Sequence, residues 1–407
     1  MWLRLASPDS VRLFVPDSLG IHTPLHARDI MGHVIVRAVH DREDQGGFLA
    51  FPQSLYRNNR CWVPPVATHE EQLAGFATHP FYEQAESQAF LACRNGEICG
   101  RVLSIINHAY NSWHHQRHGF FGFFEAINDQ ETADALLDAA RDWLARRNCS
   151  MIRGPVSPSM TYQCGLLIDG FDTTPGFLMP YNPAYYAHLI ETYGFRRAQD
   201  LMSYLGSLQT LDRVKPKFEH ISRLAVTRLG LRMRHFDMDR FAAEMVTFYD
   251  IYHRALGSTW GFAPVTDSEV QFAGRAYREI TVPEFTAVAE VDGKAVGMVL
   301  GILDLNSLIK ESGGTPAWGE LSQILREDRR PSRARIVCAL VVPQYNLWGV
   351  GPAMLRFLID PGIAWGIREV EFSWIAETNR LSRGSLERGG AQRDKTYRVY
   401  ELPLSGS

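Results

Sequence analysis

The sequence predicts a mixed α/β protein in which one sandwich fold is built twice, in tandem. Three observations support this fold class. The chain has 407 residues, and at roughly 100–200 residues per domain this length favours two domains. The same order of strands and helices occurs twice along the chain. Hairpins stand beside strand–helix–strand crossovers in each copy, which is typical of a mixed sheet covered by helices.

The first copy occupies residues 33–206 and follows an extension, residues 1–32, that contains three prolines and little periodicity. Alternating apolar residues predict strands, an Asn95-Gly96 pair predicts a hairpin turn, and apolar residues at helical spacing predict helices. In order, the segments are a strand at 33–39, a helix after Asp41, a hairpin at 89–107, a strand at 119–126, a helix at 129–147, a strand at 151–156, a helix at 182–195 and a strand at 200–205.

The second copy occupies residues 231–407, after a linker at 207–230. Its hairpin turns at Asp292-Gly293, the same kind of turn as in the first copy. In order, the segments are a strand at 231–236, a helix at 238–256, a hairpin at 285–304, a strand at 335–343, a turn and helix at 346–365, a strand at 369–376, a helix around 380–389 and a strand at 396–402. Two copies of one such order indicate an internal duplication.

Composition excludes several classes of protein. The 42 Lys and Arg against 45 Asp and Glu give a formal net charge of −3, which removes the generic electrostatic case for nucleic-acid binding. The six cysteines form no CxxC pair, and no Cys/His spacing matches a zinc site, so we expect no metal. The sequence has no secretory signal and no apolar run of the roughly 18–20 residues that span a bilayer. We therefore expect a soluble, cytoplasmic protein without a membrane partner.

One motif in the second copy carries chemistry. Residues 340–353, LVVPQYNLWGVGPA, run from an apolar strand into a turn with Gly349 and Gly351, and a helix begins at Pro352. Glycines let the backbone approach a ligand closely, and a helix start presents unpaired N–H groups, so the motif predicts an anion site suited to a pyrophosphate. A dinucleotide-binding motif would need a third glycine where Met354 stands.

This motif resembles the acyl-CoA loop of the GNAT N-acyltransferase superfamily, which reads Gln/Arg-x-x-Gly-x-Gly/Ala after the fourth strand. The segment Asn346-Leu-Trp-Gly349-Val-Gly351 matches at both glycines and has Asn in place of Gln or Arg. Segments such as INHAYNSWHHQRHGFFGFFE and RGPVSPS are similar to a bacterial group of double GNAT-like proteins. The resemblance covers both copies and implies two tandem GNAT-like sandwich domains.

The resemblance also implies which residues hold the acyl-CoA. Backbone groups at the end of the strand would pair with pantetheine, amides of the loop would hold the pyrophosphate, and an asparagine after the fifth strand would make a further contact. The matching positions are Ala339, Leu340, Val341 and Val342 in the strand, Leu347, Trp348, Gly349, Val350 and Gly351 in the loop, and Asn379 after the fifth strand.

The first copy departs from this pattern. Between its strand and helix lies AINDQETADA, without glycine and with three acids, Asp129, Glu131 and Asp134. Carboxylates at a helix start compete for the N–H groups that a phosphate would need. We therefore expect a degenerate copy that supports the fold or shapes the acceptor cleft.

Acyl transfer from a thioester to an amine needs a base for the amine and an acid for the thiolate. Many GNAT enzymes supply the acid from a tyrosine in the last helix, where this chain has Ser385 or Leu386. Tyr397 on the closing strand is the candidate acid, with packing as its alternative role. Ser373 on the fifth strand and Glu290 on the second are further catalytic candidates.

Two aromatic residues are candidates for contact with the acceptor. Trp260 and Phe262 lie in the Gly/Pro-rich segment 252–267, in a region that covers the acceptor pocket in GNAT-like folds. An aromatic residue on a loop indicates a binding role more strongly than one on a helix, because helix aromatics more often pack in the hydrophobic core. Packing is the alternative.

The sequence therefore predicts an N-acyltransferase that moves an acyl group from acetyl-CoA or another acyl-CoA to a small-molecule amine, directly, in a ternary complex. Basic residues at 213–235 and 326–335 leave open aminoacyl-tRNA as the donor, and an acyl carrier protein is a further possible donor. A non-catalytic binding protein that retains the fold is the third possibility. The acyl length, the acceptor and the oligomeric state do not follow from the sequence.

Overall fold

A computed structural model describes residues 32–312, 320 and 330–404, so nearly all of the predicted extension lies outside the described residues. The predicted strands and helices occur in the predicted order, and the structure adds elements that the sequence analysis did not predict, among them short strands within residues 156–169 and a helix at Asp267–Arg278. The strands are β1 (Ile35–Ala38), β2 (Ala85–Arg94), β3 (Glu97–Asn107), β4 (His118–Ala126), β5 (Met151–Gly154), β6 (Val156–Ser157), β7 (Gln163–Cys164), β8 (Leu166–Asp169), β9 (Arg196–Ser207), β10 (Arg232–Arg234), β11 (Thr286–Val291), β12 (Lys294–Leu303), β13 (Arg333–Val341), β14 (Glu369–Ala376) and β15 (Gln392–Pro403).

The helices cover the sheet and connect its strands. Those in the described part of the chain are α1 (Arg42–Leu55), α2 (Ala67–Leu73), α3 (His108–His114), α4 (Gln130–Ala145), α5 (Tyr186–Tyr193), α6 (Leu208–Leu229), α7 (Phe241–Leu256), α8 (Asp267–Arg278), α9 (Asn306–Ser312), α10 (Val350–Trp365) and α11 (Arg380–Arg388). Across residues 32–312, 320 and 330–404, none is long and apolar enough to cross a membrane.

Local signals in the sequence explain where several elements turn or end. Both hairpins turn through two residues of positive φ, Asn95-Gly96 (54° and 86°) and Asp292-Gly293 (51° and 72°), as a tight two-residue turn requires. Helix α5 ends at Gly194, whose φ of 117° only glycine adopts without strain.

The two halves share one continuous sheet. The strand order is β1-β2-β3-β4-β5-β15-β9-β14-β13-β12-β11-β10, and β8 adds to β15. Each half contributes one parallel pair, β4 with β5 and β13 with β14, and the other pairs along this order are antiparallel.

The closing strands are exchanged between the halves. Strand β15, which ends the second half, pairs with β5 of the first, and β9, which ends the first half, pairs with β14 of the second. The two exchanged strands pair with each other at the centre of the sheet. The halves are therefore two copies of one fold that each complete the other's sheet.

The predicted linker is helical. Helix α6 begins with a capping box in which Thr210 Oγ1 accepts from the Ser207 amide at 3.2 Å, and Gly230, at φ 62°, ends it. The helix lies against α10, where Arg356 pairs with Glu219 at 3.1 Å. A Cβ added at Gly349 would lie 2.8 Å from Ile221 Cγ2, so α6 also lies beside the glycine turn at the start of α10.

Separate hydrophobic clusters fill the two halves, and a further cluster joins them. The joining cluster includes Leu103 and Met160 from the first half together with Ala263 and Tyr397 from the second, and Trp374 packs against it. Burial of apolar side chains from both halves in one cluster means that neither half has a complete core alone.

Candidate functional site

The two parallel strands of the second half diverge beyond their first four residues. Strand β13 pairs with β14 only from Arg333 to Ile336, yet continues its pairing with β12 to Val341. Leu340 and Val342 are buried at 2% and 0% exposure, whereas Ala339 is exposed. Within the described residues, the β14-facing edge of 337–341 is thus left without a neighbouring strand. We call this space between the two diverging strands the donor gap.

The glycine turn lies at the end of the donor gap. Gly349 has a φ of 81°, and α10 begins immediately after it without a side-chain cap from the described residues. Leu347 and Trp348 are exposed at 86% and 50%. The Trp348 amide is already used, because it donates to the Tyr345 carbonyl at 3.1 Å. The amides of Gly349, Val350 and Gly351 fall at the cap and first turn of the helix, where intrahelical partners are lacking.

The equivalent helix start in the first half is occupied by a carboxylate. Asp129 accepts from the Thr132 amide at 2.9 Å and pairs with Arg94 at 2.9 Å. Glu131 also contacts Arg94, at 2.7 Å. Since a negative charge already satisfies this helix start, a phosphate would meet repulsion there. The two halves therefore differ in the feature that would bind an anion.

Asn379 acts as a helix cap. Its side chain accepts from the Ser382 amide at 3.1 Å at the start of α11, and the residue is exposed. Its position after β14 is the one that the sequence predicts, and the hydrogen bond to Ser382 is the local reason for its orientation.

Ser373 lies in β14, one residue beyond the last residue that pairs with β13, and Arg335 fixes its position beside the donor gap. The Arg335 Nε donates to Ser373 Oγ at 2.8 Å, and Nη2 donates to the Ser373 carbonyl at 3.2 Å. The remaining Nη1 donates to the carbonyl of Phe177, in the first half, at 2.7 Å. Sequence reasoning singled out the serine but placed the arginine in a basic surface group.

That basic group is partly buried. Arg335 is 6% exposed, and Arg333 pairs with Glu371, which is fully buried. Arg326 and Arg329 lie outside the described residues. Two of the five arginines are therefore committed to contacts inside the protein, which weakens the case for a basic surface at 326–335.

Tyr397 is fully buried in the central cluster. Its hydroxyl has no hydrogen-bond partner among the described residues. Burial, together with the nearby negative charge of Glu371, raises the pKa of this phenol well above its ordinary value. A phenol of raised pKa is a weaker acid, and an enclosed hydroxyl needs movement of its surroundings before a substrate reaches it.

Glu290 lies on β11, next to the edge strand β10, and its carboxylate is paired. It contacts Arg234 Nε at 2.8 Å, and the same guanidinium contacts Glu244 at 2.6 Å. Strand β12 stands between β11, which carries Glu290, and β13. The structure therefore places Glu290 two strands away from the donor gap.

Trp260 and Phe262 pack their loop against residues of the first half. Phe262 is 3% exposed, its ring lies 5.1 Å from that of Trp113, and its carbonyl accepts from His114 at 2.8 Å. The Trp260 ring lies 5.3 Å from the Arg153 guanidinium carbon. Both aromatic residues pack between the halves, and neither lies on an open surface loop.

A cavity of about 130 Å³ lies where β4 and β5 diverge, and it is lined by the first half together with Asn306 and Ile309 of α9. Apolar and aromatic side chains form most of its wall, among them Trp62, Phe123, Phe177 and Met179. Its charged lining residues are Glu70, Arg101 and Glu125. We call it the N-terminal cavity.

Glu125 is the central polar group of this cavity. Tyr56 and Tyr186 both donate to its Oε2, at 2.7 Å and 2.6 Å. Burial raises the pKa of this carboxyl to about 7, although the charge of Arg101 opposes the shift. Sequence reasoning missed Glu125, and the available signal was a single acid near the end of the apolar strand GFFGFFEA.

Comparison with known proteins places the chain in a family. It is 30% identical over 378 residues to protein YghO of Escherichia coli (strain K12), with 91% of this chain and 95% of that protein covered. It is 30% identical over 365 residues to the bacterial ceramide synthase of Caulobacter vibrioides, covering 88% and 94%. The chain belongs to the family of these two bacterial proteins. No model of a known protein family matches the sequence.

Solved structures identify the fold. A tandem GNAT protein from the clavulanic acid biosynthesis pathway superposes with a TM-score of 0.56 at 11% identity, over 92% of this chain and all of that one. A fungal glucosamine N-acetyltransferase region superposes with a TM-score of 0.56 at 13% identity, over 91% of this chain and 38% of that one. The chain has the tandem GNAT fold. The family resemblance that the sequence suggested is confirmed.

Proposed function

We propose that the protein is an N-acyltransferase that joins the fatty acyl group of an acyl-CoA to the primary amine of a long-chain amino alcohol, giving a ceramide-type amide. The observation that carries this proposal is the 30% identity to a bacterial ceramide synthase along 88% of the chain. The tandem GNAT fold supports the same class of reaction.

The donor gap and the glycine turn support acyl-CoA as the donor. The open edge of β13 offers backbone groups to the pantetheine amides, as one strand does to another. The uncapped start of α10 offers N–H groups and a favourable dipole to the pyrophosphate. In the first half, Asp129 fills the corresponding position, so we assign the donor to the second half.

The reaction that follows is a direct transfer. The unprotonated amine attacks the thioester carbonyl, a C–N bond forms, the C–S bond breaks, and the thiolate leaves with a proton from the nitrogen. Holding two substrates in a reactive orientation supplies much of the rate acceleration in such a reaction. The absence of the family's usual tyrosine is therefore compatible with turnover.

Gly351 offers a sharp test of the donor site. A Cβ at this position would meet no atom closer than Val341 Cγ2 at 3.9 Å, so the fold has room for a side chain. Gly351→Glu places a carboxylate at the helix start, and Gly351→Gln places a neutral group of the same shape there. We expect calorimetric titration with palmitoyl-CoA to give a dissociation constant about 10-fold weaker for the Glu variant than for the Gln variant, from charge repulsion at the helix start.

The activity test is amide formation from palmitoyl-CoA and sphinganine, followed by mass spectrometry of the product and release of the free thiol. Amide formation that Gly351→Glu reduces more than Gly351→Gln supports the proposal. Binding of acyl-CoA without amide from an amine panel supports a non-catalytic GNAT-fold protein instead. Failure to bind acyl-CoA overturns the donor assignment, and acylation from an acyl carrier protein or from aminoacyl-tRNA would replace it.

A further inference from the structure

When Glu125 is ionised, the N-terminal cavity has a surplus of negative charge. Of its charged lining residues, two are glutamates and one is an arginine. The Arg101 guanidinium contacts Glu70 Oε1 at 3.1 Å and donates to the Phe48 carbonyl at 2.9 Å, so it is bound mainly to these two groups. It lies 3.9 Å from Glu125 Oε1. A cation that entered the cavity would therefore restore charge balance, whereas an anion would increase the imbalance.

Glu125 presents one oxygen to a ligand. Its Oε2 accepts both tyrosine hydrogen bonds, and Tyr186 is itself fixed because its hydroxyl accepts from the Ala126 amide at 2.8 Å. Within the described residues, Oε1 receives no hydrogen bond, and the side chain keeps 12% of its surface exposed. A carboxylate held in place through one oxygen can use the other to bind a donor.

The size of the cavity restricts the ligand. A cavity of roughly 150 Å³ holds a benzene molecule, which has six heavy atoms. The N-terminal cavity, at about 130 Å³, accommodates a group of similar or slightly smaller size. An amino-alcohol head of five or six heavy atoms fits this volume, whereas a long alkyl chain exceeds it.

The cavity wall is in contact with the donor gap. Phe177 lines the cavity, and its carbonyl accepts from Arg335, which also holds Ser373 beside the gap. Gly176 lies so close to β14 that a Cβ there would be 2.5 Å from Glu371 Oε2. The segment 175–179 therefore lies between the N-terminal cavity and β14, the strand that borders the donor gap.

We propose that the N-terminal cavity is the acceptor pocket, in which Glu125 binds the ammonium group of the amino-alcohol head and removes its proton. This inference rests on the proposed function for its reaction step. The proton passes from nitrogen to Glu125 and then to solvent, and the nitrogen lone pair so released forms the C–N bond as the C–S bond breaks. The first half, which lacks the donor loop, then serves the second substrate.

The first experiment compares Glu125→Gln with the wild-type chain in amide formation from palmitoyl-CoA and sphinganine. We expect kcat/KM for the amine to fall about 100-fold or more, as loss of a general base does, while the affinity for palmitoyl-CoA stays unchanged. The wild-type kcat/KM should rise with pH through a limb near the pKa of Glu125, and the variant should lack that limb. Equal kcat/KM and equal pH profiles in the two proteins overturn the inference, even if the proposed function stands.

Glu269→Gln is the matched control. Glu269 is also buried, at 6% exposure, and also accepts from a tyrosine, Tyr162, at 2.8 Å, but it does not line the cavity. Glutamine preserves the capping box that Glu269 forms with Thr266. We expect its kcat/KM to remain within about 3-fold of wild type, well short of the effect of losing a general base. A loss equal to that of Glu125→Gln would mean that any buried glutamate has this effect, and would overturn the inference.

A binding experiment separates the two proposals. The probe is 2-amino-1,3-propanediol, titrated near pH 8 into wild type, Glu125→Gln and Val63→Trp, which narrows the cavity without changing the carboxylate. We expect both variants to weaken binding about 10-fold or more, an effect on the scale of one lost charged hydrogen bond. Binding that depends on Glu125 in a protein that forms no amide would retain the pocket and overturn the proposed function. Binding that neither variant changes overturns the pocket.

Discussion

The Arg335 guanidinium donates to the carbonyl oxygen of Phe177 at 2.7 Å and so connects the second half of the chain to the first. Its other N–H groups hold Ser373, which follows the last β14 residue that pairs with β13. One buried side chain thus ties the border of the donor gap to the wall of the N-terminal cavity. The position of the donor gap relative to the N-terminal cavity therefore depends on Arg335.

Replacing Arg335 tests this connection. Arg335→Met removes the donors to Phe177 and Ser373 and leaves their acceptors buried, so we expect the free energy of unfolding in urea to fall by about 2–4 kcal/mol. Arg335→Lys should recover part of this loss, because lysine keeps the charge but lacks the planar fork of donors. The exposed Arg232→Met is the control. A loss below about 0.5 kcal/mol for Arg335→Met would mean that other contacts hold segment 175–179 against β14.

Tyr397 distinguishes packing from catalysis. Its buried hydroxyl has no partner among the described residues, so Tyr397→Phe removes an unsatisfied group, and we expect a gain of about 1 kcal/mol in unfolding free energy with amide formation nearly unchanged. Tyr400→Phe is the matched control on the same strand. Tyr400 donates to Glu191 at 2.8 Å, so its variant should lose about 1 kcal/mol. A large loss of activity in Tyr397→Phe at unchanged stability would instead support the candidate acid.

The pH dependence of stability is expected to report on Glu125. Its pKa is about 7 in the folded protein, above its ordinary value, so between about pH 4.5 and pH 7 the folded state binds more protons than the unfolded state. Stability contributed by this group therefore falls as pH rises through that window. Glu125→Gln cannot titrate, so the stability of the variant relative to wild type should increase by about 1–3 kcal/mol from pH 5 to pH 8.

Urea unfolding of the two proteins at both pH values measures this effect. The exposed Glu97→Gln serves as the control, because its carboxyl lies in the β2–β3 hairpin away from the cavity. A difference between Glu125→Gln and wild type that stays constant with pH would contradict the titration of a buried carboxyl in this range.

Local signals made much of the fold predictable. Asn95-Gly96 and Asp292-Gly293 mark the two hairpins because few other residue pairs adopt positive φ, and the repeated order of elements indicated the duplication. The glycine turn was predictable in the same way, since Gly349 and Gly351 lie within a few residues of the strand and helix that they join. Signals of this kind are short-range and are read directly from the sequence.

Long-range contacts could not be predicted from the sequence. Tyr56 and Tyr186 lie 69 and 61 residues from Glu125, and Arg335 lies 158 residues from Phe177, so no pattern in the chain joins them. The exchange of closing strands could not be predicted from the sequence for another reason. Strands β9 and β15 occupy equivalent places in two copies of one fold, and pairing within a half or across halves would use the same kind of strand.

The strand exchange predicts that the two halves do not fold separately. A fragment of residues 1–230 lacks β15, which leaves β5 and the β15-facing edge of β9 unpaired at the centre of the sheet. It also lacks Tyr397 and Val399, which complete the shared cluster. Because open edges and exposed apolar surface favour aggregation, we expect this fragment alone to be unfolded or aggregated by circular dichroism and gel filtration.

Fragment mixing and a matched deletion complete the test. Residues 1–230 refolded together with 231–407 should form a stoichiometric complex with the circular dichroism of the intact chain, because each fragment supplies the strand that the other lacks. Deleting β15 from the intact chain should destabilise far more than deleting β1, since β15 pairs with strands on both sides and β1 pairs only with β2. A folded monomer of residues 1–230 would show that the first half can close its own sheet, and would contradict the exchange.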